Sequence, residues 1–101
     1  MATWRGKSGQ TYEYTVQSAT ENIPQGGGNY IFIRLEGNTW YPLYIGETQN
    51  FVARLSAHDK IPCARQNGLN EIHYHTHNGN EQARRAEEQD LLQNYRTVCN
   101  G

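Results

Sequence analysis

The chain has 101 residues, which favours a single domain over residues 1–101, because an independent hydrophobic core usually needs about 100 residues. Nine lysines and arginines stand against ten aspartates and glutamates, giving a formal net charge of −1. The length excludes a large enzyme with a separate substrate-binding domain. The charge excludes a protein that binds nucleic acid through a strongly basic surface.

Residues 1–20 are predicted to form a β-hairpin. Glycine and serine at positions 6–9 favour a turn, and in residues 11–16 tyrosine and valine alternate with polar side chains. This period of two is typical of a half-buried strand. Three consecutive glycines, residues 26–28, follow in a connector. They lack the lysine and the spacing of a phosphate-binding loop, so we interpret them as a flexible approach to the next strand.

The following segment predicts a second hairpin. Residues 30–35 are β-branched and aromatic, residues 36–39 favour a turn, and residues 40–45 form a second apolar strand. Pro42 has no N–H to donate to a neighbouring strand. We therefore expect Pro42 on an unpaired edge or at a bulge.

A helix and a short helical stretch are predicted after this hairpin. The helix begins at Asn50, whose side chain can accept a hydrogen bond from a free backbone N–H at the helix start. Phe51, Leu55 and Ile61 are expected to form its inward stripe. Residues 62–67 allow the short helical stretch.

The last third of the chain predicts a strand and a longer helix. The strand covers residues 71–77, Asn78 and Gly79 favour a turn, and Asn80 caps a helix over residues 81–95. The predicted fold class is therefore α+β. We expect a small central antiparallel sheet, made of about three core strands plus the N-terminal hairpin and flanked by helices.

Three histidines, His73, His75 and His77, alternate along the predicted third strand and project from one face. Imidazole nitrogens suit zinc, but side chains on one face of a strand lie about 7 Å apart. Two of them chelate easily and three only if the strand bends. A small zinc protein is one hypothesis, and an exposed polar face close to nucleic acid is the alternative.

In the last predicted helix, Glu88 shares a face with Leu91 and Leu92. These leucines must point inward in so small a protein, so Glu88 is drawn toward the core, whereas Glu87 and Asp90 can lean to solvent. A carboxylate that is partly removed from water needs a cation or hydrogen bonds. The position of Glu88 therefore requires an explanation.

Two interpretations of Glu88 are open. Either it forms an ion pair with Arg84 or Arg85 of the same helix, or it serves a functional site. Arg54 and His58 raise the same question one turn apart on the first helix. A guanidinium suits phosphate oxygens and an imidazole exchanges protons near neutral pH, yet both also suit a solvated helix face.

The combination of motifs is more specific than any single one. Tyr30 lies in GNYIFIRL, Tyr44 and Arg54 lie in LYIGETQNFVARLSAH, and Glu88 and Asn100 lie in EEQDLLQNYRTVCN. In this order the segments resemble the GIY-YIG nuclease family. The resemblance covers residues 28–100, and the family's Glu-x-x-Leu-Ile pattern aligns with Glu88.

The resemblance implies a GIY-YIG-like catalytic core over residues 28–100, with residues 1–20 as an extension outside the shared core. One of Tyr30 and Tyr44 would help to deprotonate the attacking water. Arg54 would contact the scissile phosphate and steady its developing negative charge.

The resemblance also implies the remaining site residues. His58 would take part in proton transfer, and Glu88 would hold Mg²⁺ or Mn²⁺, mainly through waters and substrate oxygens. Asn100 would orient the site. Gly46 and Thr48, together with Arg54, would contact the substrate.

The leading hypothesis is therefore a metal-dependent endonuclease that hydrolyses phosphodiester bonds in duplex or branched DNA. The near-neutral charge predicts weak, salt-sensitive binding by the isolated chain, or help from a separate recognition protein. The alternative is a catalytically inactive nucleic-acid-binding or protein-interaction module with the same fold. An inactive module has no physical need for the full set of signature residues.

Cys63 and Cys99 are too few for a disulfide framework, and we expect them to be free thiols. The apolar stretches are too short for a transmembrane helix, and residues 1–5 lack the apolar centre of a signal peptide. We therefore expect a cytoplasmic protein with no membrane partner.

Overall fold

Five strands pair into one antiparallel sheet with the order β1-β2-β5-β3-β4. The computed structural model describes residues 1–77 and 79–101. The strands are β1 (Ala2–Arg5), β2 (Thr11–Ser18), β3 (Gly28–Glu36), β4 (Thr39–Thr48) and β5 (Glu71–Thr76). The predicted α+β class is confirmed, with both hairpins and the third core strand in place.

Three helices cover the two faces of this sheet. They are α1 (Phe51–Leu55), α2 (Ile61–Gln66) and α3 (Glu81–Leu92). Because successive side chains of a strand point to opposite faces, β3 supplies both cores. Tyr30 and Phe32 pack with α1 and α2, whereas Ile31 and Ile33 pack on the side of α3.

The sheet has β1 and β4 at its edges, and Pro42 lies in β4 as predicted. The register of β3 with β4 shifts between Phe32 and Ile33, and Pro42 is the partner of Ile33 directly after this irregularity. At the other side, β2 pairs with β5, so the N-terminal hairpin extends the sheet. The edge position of β4 is important because this strand carries Tyr44 and Gly46.

Both predicted asparagine caps are confirmed, but both helices end earlier than predicted. Asn50 accepts from the N–H of Ala53, and Asn80 accepts from the N–H of Ala83. The α1 helix ends at Leu55, so Ile61 belongs to α2. The α3 helix ends at Leu92 rather than at residue 95. The predicted turn at Asn78 and Gly79 includes Asn78, which lies outside the described residues.

Cys63 and Cys99 form a disulfide, so the prediction of free thiols is wrong. Their Cα atoms lie 5.9 Å apart although 36 positions separate them in the sequence. The fold brings them together because the backbone N–H of Cys99 donates to Leu43 O on β4 at 2.9 Å, which places the C-terminal segment beside α2. The free thiols were expected from a reducing cytoplasm, and the cytoplasmic location itself stays a prediction.

Candidate active site on the β3–β4 hairpin

Tyr30 and His58 form the centre of the candidate site. The Tyr30 hydroxyl is 2.7 Å from His58 Nε2, and both residues are buried. The backbone N–H of Lys60 donates to His58 Nδ1 at 3.0 Å. Since Nδ1 accepts, a neutral His58 carries its proton on Nε2 and donates it to the oxygen of Tyr30.

His58 remains neutral at physiological pH. Burial lowers the pKa of His58 to about 4, and the positive charge of Arg54 contributes in the same direction. Burial also raises the pKa of the Tyr30 hydroxyl, as does the nearby Tyr44 phenol. The pair therefore consists of a neutral imidazole donor and a protonated phenol.

Tyr44 completes a cluster, here called the tyrosine–histidine cluster, of Tyr30, Tyr44 and His58. The rings of Tyr30 and Tyr44 are stacked, with their centroids 6.1 Å apart. The rings of Tyr44 and His58 meet edge to face, with their centroids 4.8 Å apart. Tyr44 is half-buried, which leaves it more accessible to solvent than Tyr30. Gly46 is the β4 partner of Tyr30, so the cluster lies directly over this glycine.

Arg54 lies in the last turn of α1, beside the tyrosine–histidine cluster. Its Nη2 donates to Asp59 Oδ1 at 2.9 Å. Although burial acts in the opposite direction, this hydrogen bond raises the pKa of Arg54, and the two phenols add to the effect. The Arg54 charge in turn acts to lower the pKa of Tyr30, against the larger effect of burial.

Glu88 is half-buried on α3, one helical turn after Arg84. Burial raises the pKa of Glu88, and the negative charge of Glu47 on β4 raises it further. Arg84 donates to Glu47 at 2.9 Å, and Arg85 lies 3.8 Å from the same carboxylate. Among the described residues Glu88 forms no ion pair, so the interpretation as an ion pair with Arg84 or Arg85 is wrong.

Glu88 also acts on the tyrosine–histidine cluster, because its negative charge raises the pKa of Tyr30. The charge of Arg54 on α1 acts on the same pKa in the opposite direction. The α3 helix that carries Glu88 is anchored to the edge strand β4 through the Arg84–Glu47 pair.

Asn100 and Thr48 make backbone contacts at the border of this region. Asn100 accepts from the N–H of Ile45 at 2.8 Å and donates to Ile45 O at 2.9 Å. It therefore holds the backbone between Tyr44 and Gly46. The Thr48 hydroxyl accepts from the N–H of Asn50 at 3.1 Å, which stabilises the entry into α1.

The prediction that Glu87 leans to solvent is wrong, whereas Asp90 is half-exposed. Glu87 is buried and accepts from the Tyr14 hydroxyl at 2.7 Å. Asp90 accepts from the backbone N–H of Ser8 at 2.9 Å and from the Tyr12 hydroxyl at 2.8 Å. The periodicity of the helix did not reveal these contacts because the N-terminal hairpin covers this side of α3.

His73 does not join the other two histidines of its strand. Its Nδ1 accepts from the Trp4 indole N–H at 3.1 Å, and its Nε2 lies 3.2 Å from Glu71 Oε1. The side chains of His75 and His77 instead approach Glu87, and the three potential ligand atoms lie within 4.8 Å of one another. Glu87 was missed because the sequence shows no register between β5 and α3.

No family model, curated protein or solved structure matches this chain. Among the described residues, no helix is long and apolar enough to cross a membrane. The basis for a functional proposal is therefore the chemistry of the residues that this fold brings together.

Proposed function

We propose that this chain is a divalent-cation-dependent endonuclease of the GIY-YIG type, acting on DNA phosphodiester bonds. The observation that carries the proposal is the tyrosine–histidine cluster, in which Tyr30 and Tyr44 of one hairpin are in contact with His58, which lies in the loop after α1 rather than on that helix. Two opposite charges, Arg54 and Glu88, act on the same Tyr30 hydroxyl. Phosphodiester hydrolysis needs these functions: a proton acceptor, a positive clamp and a cation ligand.

Glu88 fits a Mg²⁺ or Mn²⁺ ion. Such ions prefer oxygen ligands and are commonly held by one or two carboxylates, with waters and phosphate oxygens completing the shell. A half-buried carboxylate with a raised pKa and no ion pair among the described residues gains from a cation, because the cation offsets the lost hydration. When bound, the ion would polarise the phosphodiester and stabilise the leaving oxygen.

The two tyrosines have different roles in this proposal. Tyr44 is the more exposed phenol and is assigned to relay the proton of the attacking water: its oxygen accepts that proton while its own hydroxyl proton passes to solvent. Tyr30 is buried and receives a hydrogen bond from His58, so its own hydroxyl proton remains free to orient the water or a phosphate oxygen. The neutral state of His58 is essential, because a charged imidazole would lose the bond from Lys60.

Arg54 is assigned to the scissile phosphate. Its hydrogen bond with Asp59 holds the guanidinium through Nη2, and the other N–H groups of the fork can meet two phosphate oxygens. The overall charge of −1 contributes no general attraction to DNA. A separate recognition protein would therefore supply the affinity that the chain lacks.

The decisive experiment is cleavage of supercoiled plasmid by the purified chain with Mg²⁺, with Mn²⁺ and with a chelator. We expect cation-dependent nicking that Glu88→Gln and Arg54→Ala each reduce by at least about 100-fold, since each removes transition-state stabilisation. Glu21→Gln and Arg65→Ala are matched controls, because both residues are exposed.

Three outcomes would contradict the proposal. One is a folded protein that cleaves no DNA substrate with either cation, and another is cleavage that Glu88→Gln leaves unchanged. The third is DNA binding without cleavage, measured on the same plasmid by gel shift, which would instead support the catalytically inactive binding module.

A further inference from the structure

A second group of potential ligands lies on the α3 side of the sheet, outside the tyrosine–histidine cluster. His75 is on β5, His77 directly follows this strand, and Glu87 reaches them from α3. The three border a pocket of about 360 Å³, whose lining also includes Tyr12 and Gln10. We propose that the His75–His77–Glu87 cluster binds one transition-metal cation of the zinc class.

The distances within the cluster suit such an ion. His75 Nδ1 is 2.9 Å from Glu87 Oε2, and His77 Nε2 is 4.0 Å from Glu87 Oε1. Ligands of a tetrahedral zinc ion with bonds of about 2.0–2.1 Å lie about 3.3 Å from one another. The observed distances lie on both sides of this value, so small side-chain rotations are enough to enclose a cation.

The surroundings hold the carboxylate ligand in place. The Tyr14 hydroxyl donates to Glu87 Oε2 at 2.7 Å and orients the carboxylate toward the histidines. Such outer hydrogen bonds are a regular part of metal sites, since they fix the direction of each ligand. Three protein ligands beside an open pocket leave a fourth coordination position for water or a small anion.

His77 must change its tautomer when the cation binds. Gly79 N–H donates to His77 Nδ1 at 3.1 Å, so the ring proton lies on Nε2 and is donated to Asn29 Oδ1 at 2.8 Å. A cation on Nε2 displaces that proton, and Nδ1 then takes one up. The hydrogen bond from the Gly79 N–H to His77 is therefore lost when the cation binds, and this loss should shift the NMR signal of the Gly79 amide.

The ligand set also separates this site from Glu88. Two imidazoles and one carboxylate favour Zn²⁺, Co²⁺ or Ni²⁺ over Mg²⁺, which prefers oxygen ligands. Glu87 and Glu88 are consecutive on a helix, so their side chains leave it about 100° apart. The inference does not depend on the proposed nuclease activity.

The test is titration of the full chain with Zn²⁺ alone, after chelator treatment and with the Cys63–Cys99 disulfide kept oxidised so that no thiolate competes. Calorimetry is expected to show one equivalent bound. The melting temperature should rise by roughly 10 °C when free Zn²⁺ is 100 times its Kd, and Mg²⁺ at the same concentration should leave the ring signals of His75 and His77 unshifted. The ring signals of His75 and His77 and the Gly79 amide signal should shift in NMR spectra.

Variants identify the ligands. His75→Gln and His77→Gln should each weaken Zn²⁺ binding by at least about 30-fold, whereas His73→Gln should leave it unchanged because that side chain is held by Trp4. Since the changes at positions 75 and 77 affect half-buried side chains, the NMR shifts of the unsubstituted protein decide the matter if a variant does not fold. No binding at tens of micromolar Zn²⁺ would overturn the proposal, as would binding that shifts His73 or His58 instead.

Discussion

The Tyr30 hydroxyl lies directly over Gly46. A methyl group at position 46 would stand 2.5 Å from Tyr30 Oη, 2.6 Å from Tyr30 Cζ and 2.9 Å from Tyr44 Cε2. Glycine is therefore needed here for the close approach of two aromatic rings to the backbone of an edge strand. Gly46 on β4 and Tyr30 on β3 therefore depend on each other, because the tyrosine ring occupies the space that a side chain at position 46 would need.

Gly46→Ala should accordingly disturb the tyrosine–histidine cluster. Because the added methyl group meets ring atoms of two packed tyrosines, we expect a loss of about 1–3 kcal/mol in the free energy of unfolding. Plasmid nicking should fall with it. Urea unfolding and the nicking assay measure the two effects, with Gly101→Ala as control, since a Cβ there meets nothing within 4 Å. Unchanged stability and cleavage in Gly46→Ala would contradict this packing.

Tyr44→Phe tests the proton acceptor without a change in packing. The phenyl ring keeps the stacking on Tyr30, so the fold should be unaffected, whereas the cleavage rate should fall by about 100-fold or more. Tyr41→Phe is the matched control, because Tyr41 is exposed on the same strand. A Tyr44→Phe variant that cleaves at the original rate would remove Tyr44 from the mechanism.

Asn100→Ala should loosen β4. The substitution removes two hydrogen bonds, one with the backbone N–H and one with the backbone C=O of the buried residue Ile45. We therefore expect a loss of about 2 kcal/mol in the free energy of unfolding. Amide hydrogen exchange of Ile45 should become faster, while exposed Asn22→Ala should change neither quantity. Slow exchange of Ile45 in the Asn100→Ala protein would show that the tail does not hold this strand.

His58 should make stability depend on pH below neutrality. Its pKa is about 4 in the folded protein against 6.5 for an unperturbed histidine, so the unfolded chain binds more protons between these values. The stability that neutral His58 contributes is complete above about pH 6.5 and is lost as the pH falls toward 4. The charged groups that act on His58 are Arg54, Asp59 and Lys60.

NMR titration checks this expectation directly. The His58 ring signals should stay constant between pH 7 and 5.5, a range in which an unperturbed histidine titrates. Urea unfolding over the same range should show a smaller pH dependence for His58→Gln than for the unsubstituted chain. A midpoint near 6.5 for His58 would mean that the imidazole is not buried against Tyr30.

The disulfide should stabilise the tertiary structure. Its bond closes a loop with a sequence separation of 36, which corresponds to about 4 kcal/mol of stability in the loop-entropy model. Cys63→Ser/Cys99→Ser, and the reduced protein, should both lose most of this amount in urea unfolding. The double variant should be insensitive to reductant. Equal stability of the oxidised and reduced chain would contradict a bond between these cysteines.

Local patterns were sufficient for most of the secondary structure. The alternation in residues 11–16 predicted β2, the caps Asn50 and Asn80 predicted the helix starts, and Pro42 predicted an irregular edge strand. Each of these signals depends on neighbours in the sequence, such as a side chain that reaches an N–H three residues on. Helix ends were less predictable, because packing decides how far α1 and α3 continue.

The candidate site was predictable only in part. The sequence predicts Tyr30, Tyr44, Arg54, His58 and Glu88 as one constellation, and the fold brings Tyr30 into contact with His58. Glu87 was expected to lean to solvent, and His73 to lie either on an exposed polar face or at a metal. Both residues are instead buried, with partners on other elements. Helix periodicity shows which residues share a face but not which element covers it.

The sequence by itself determined the element types and the identity of the chemical groups, because hydrophobic period, caps and turns are local properties of the chain. Only the tertiary structure decided the partners: Cys63 with Cys99, Glu87 with His75, and Glu47 rather than Glu88 with Arg84. These pairs join residues far apart in the chain. Their formation depends on how α2, α3 and the tail pack against the sheet, and no local pattern encodes that packing.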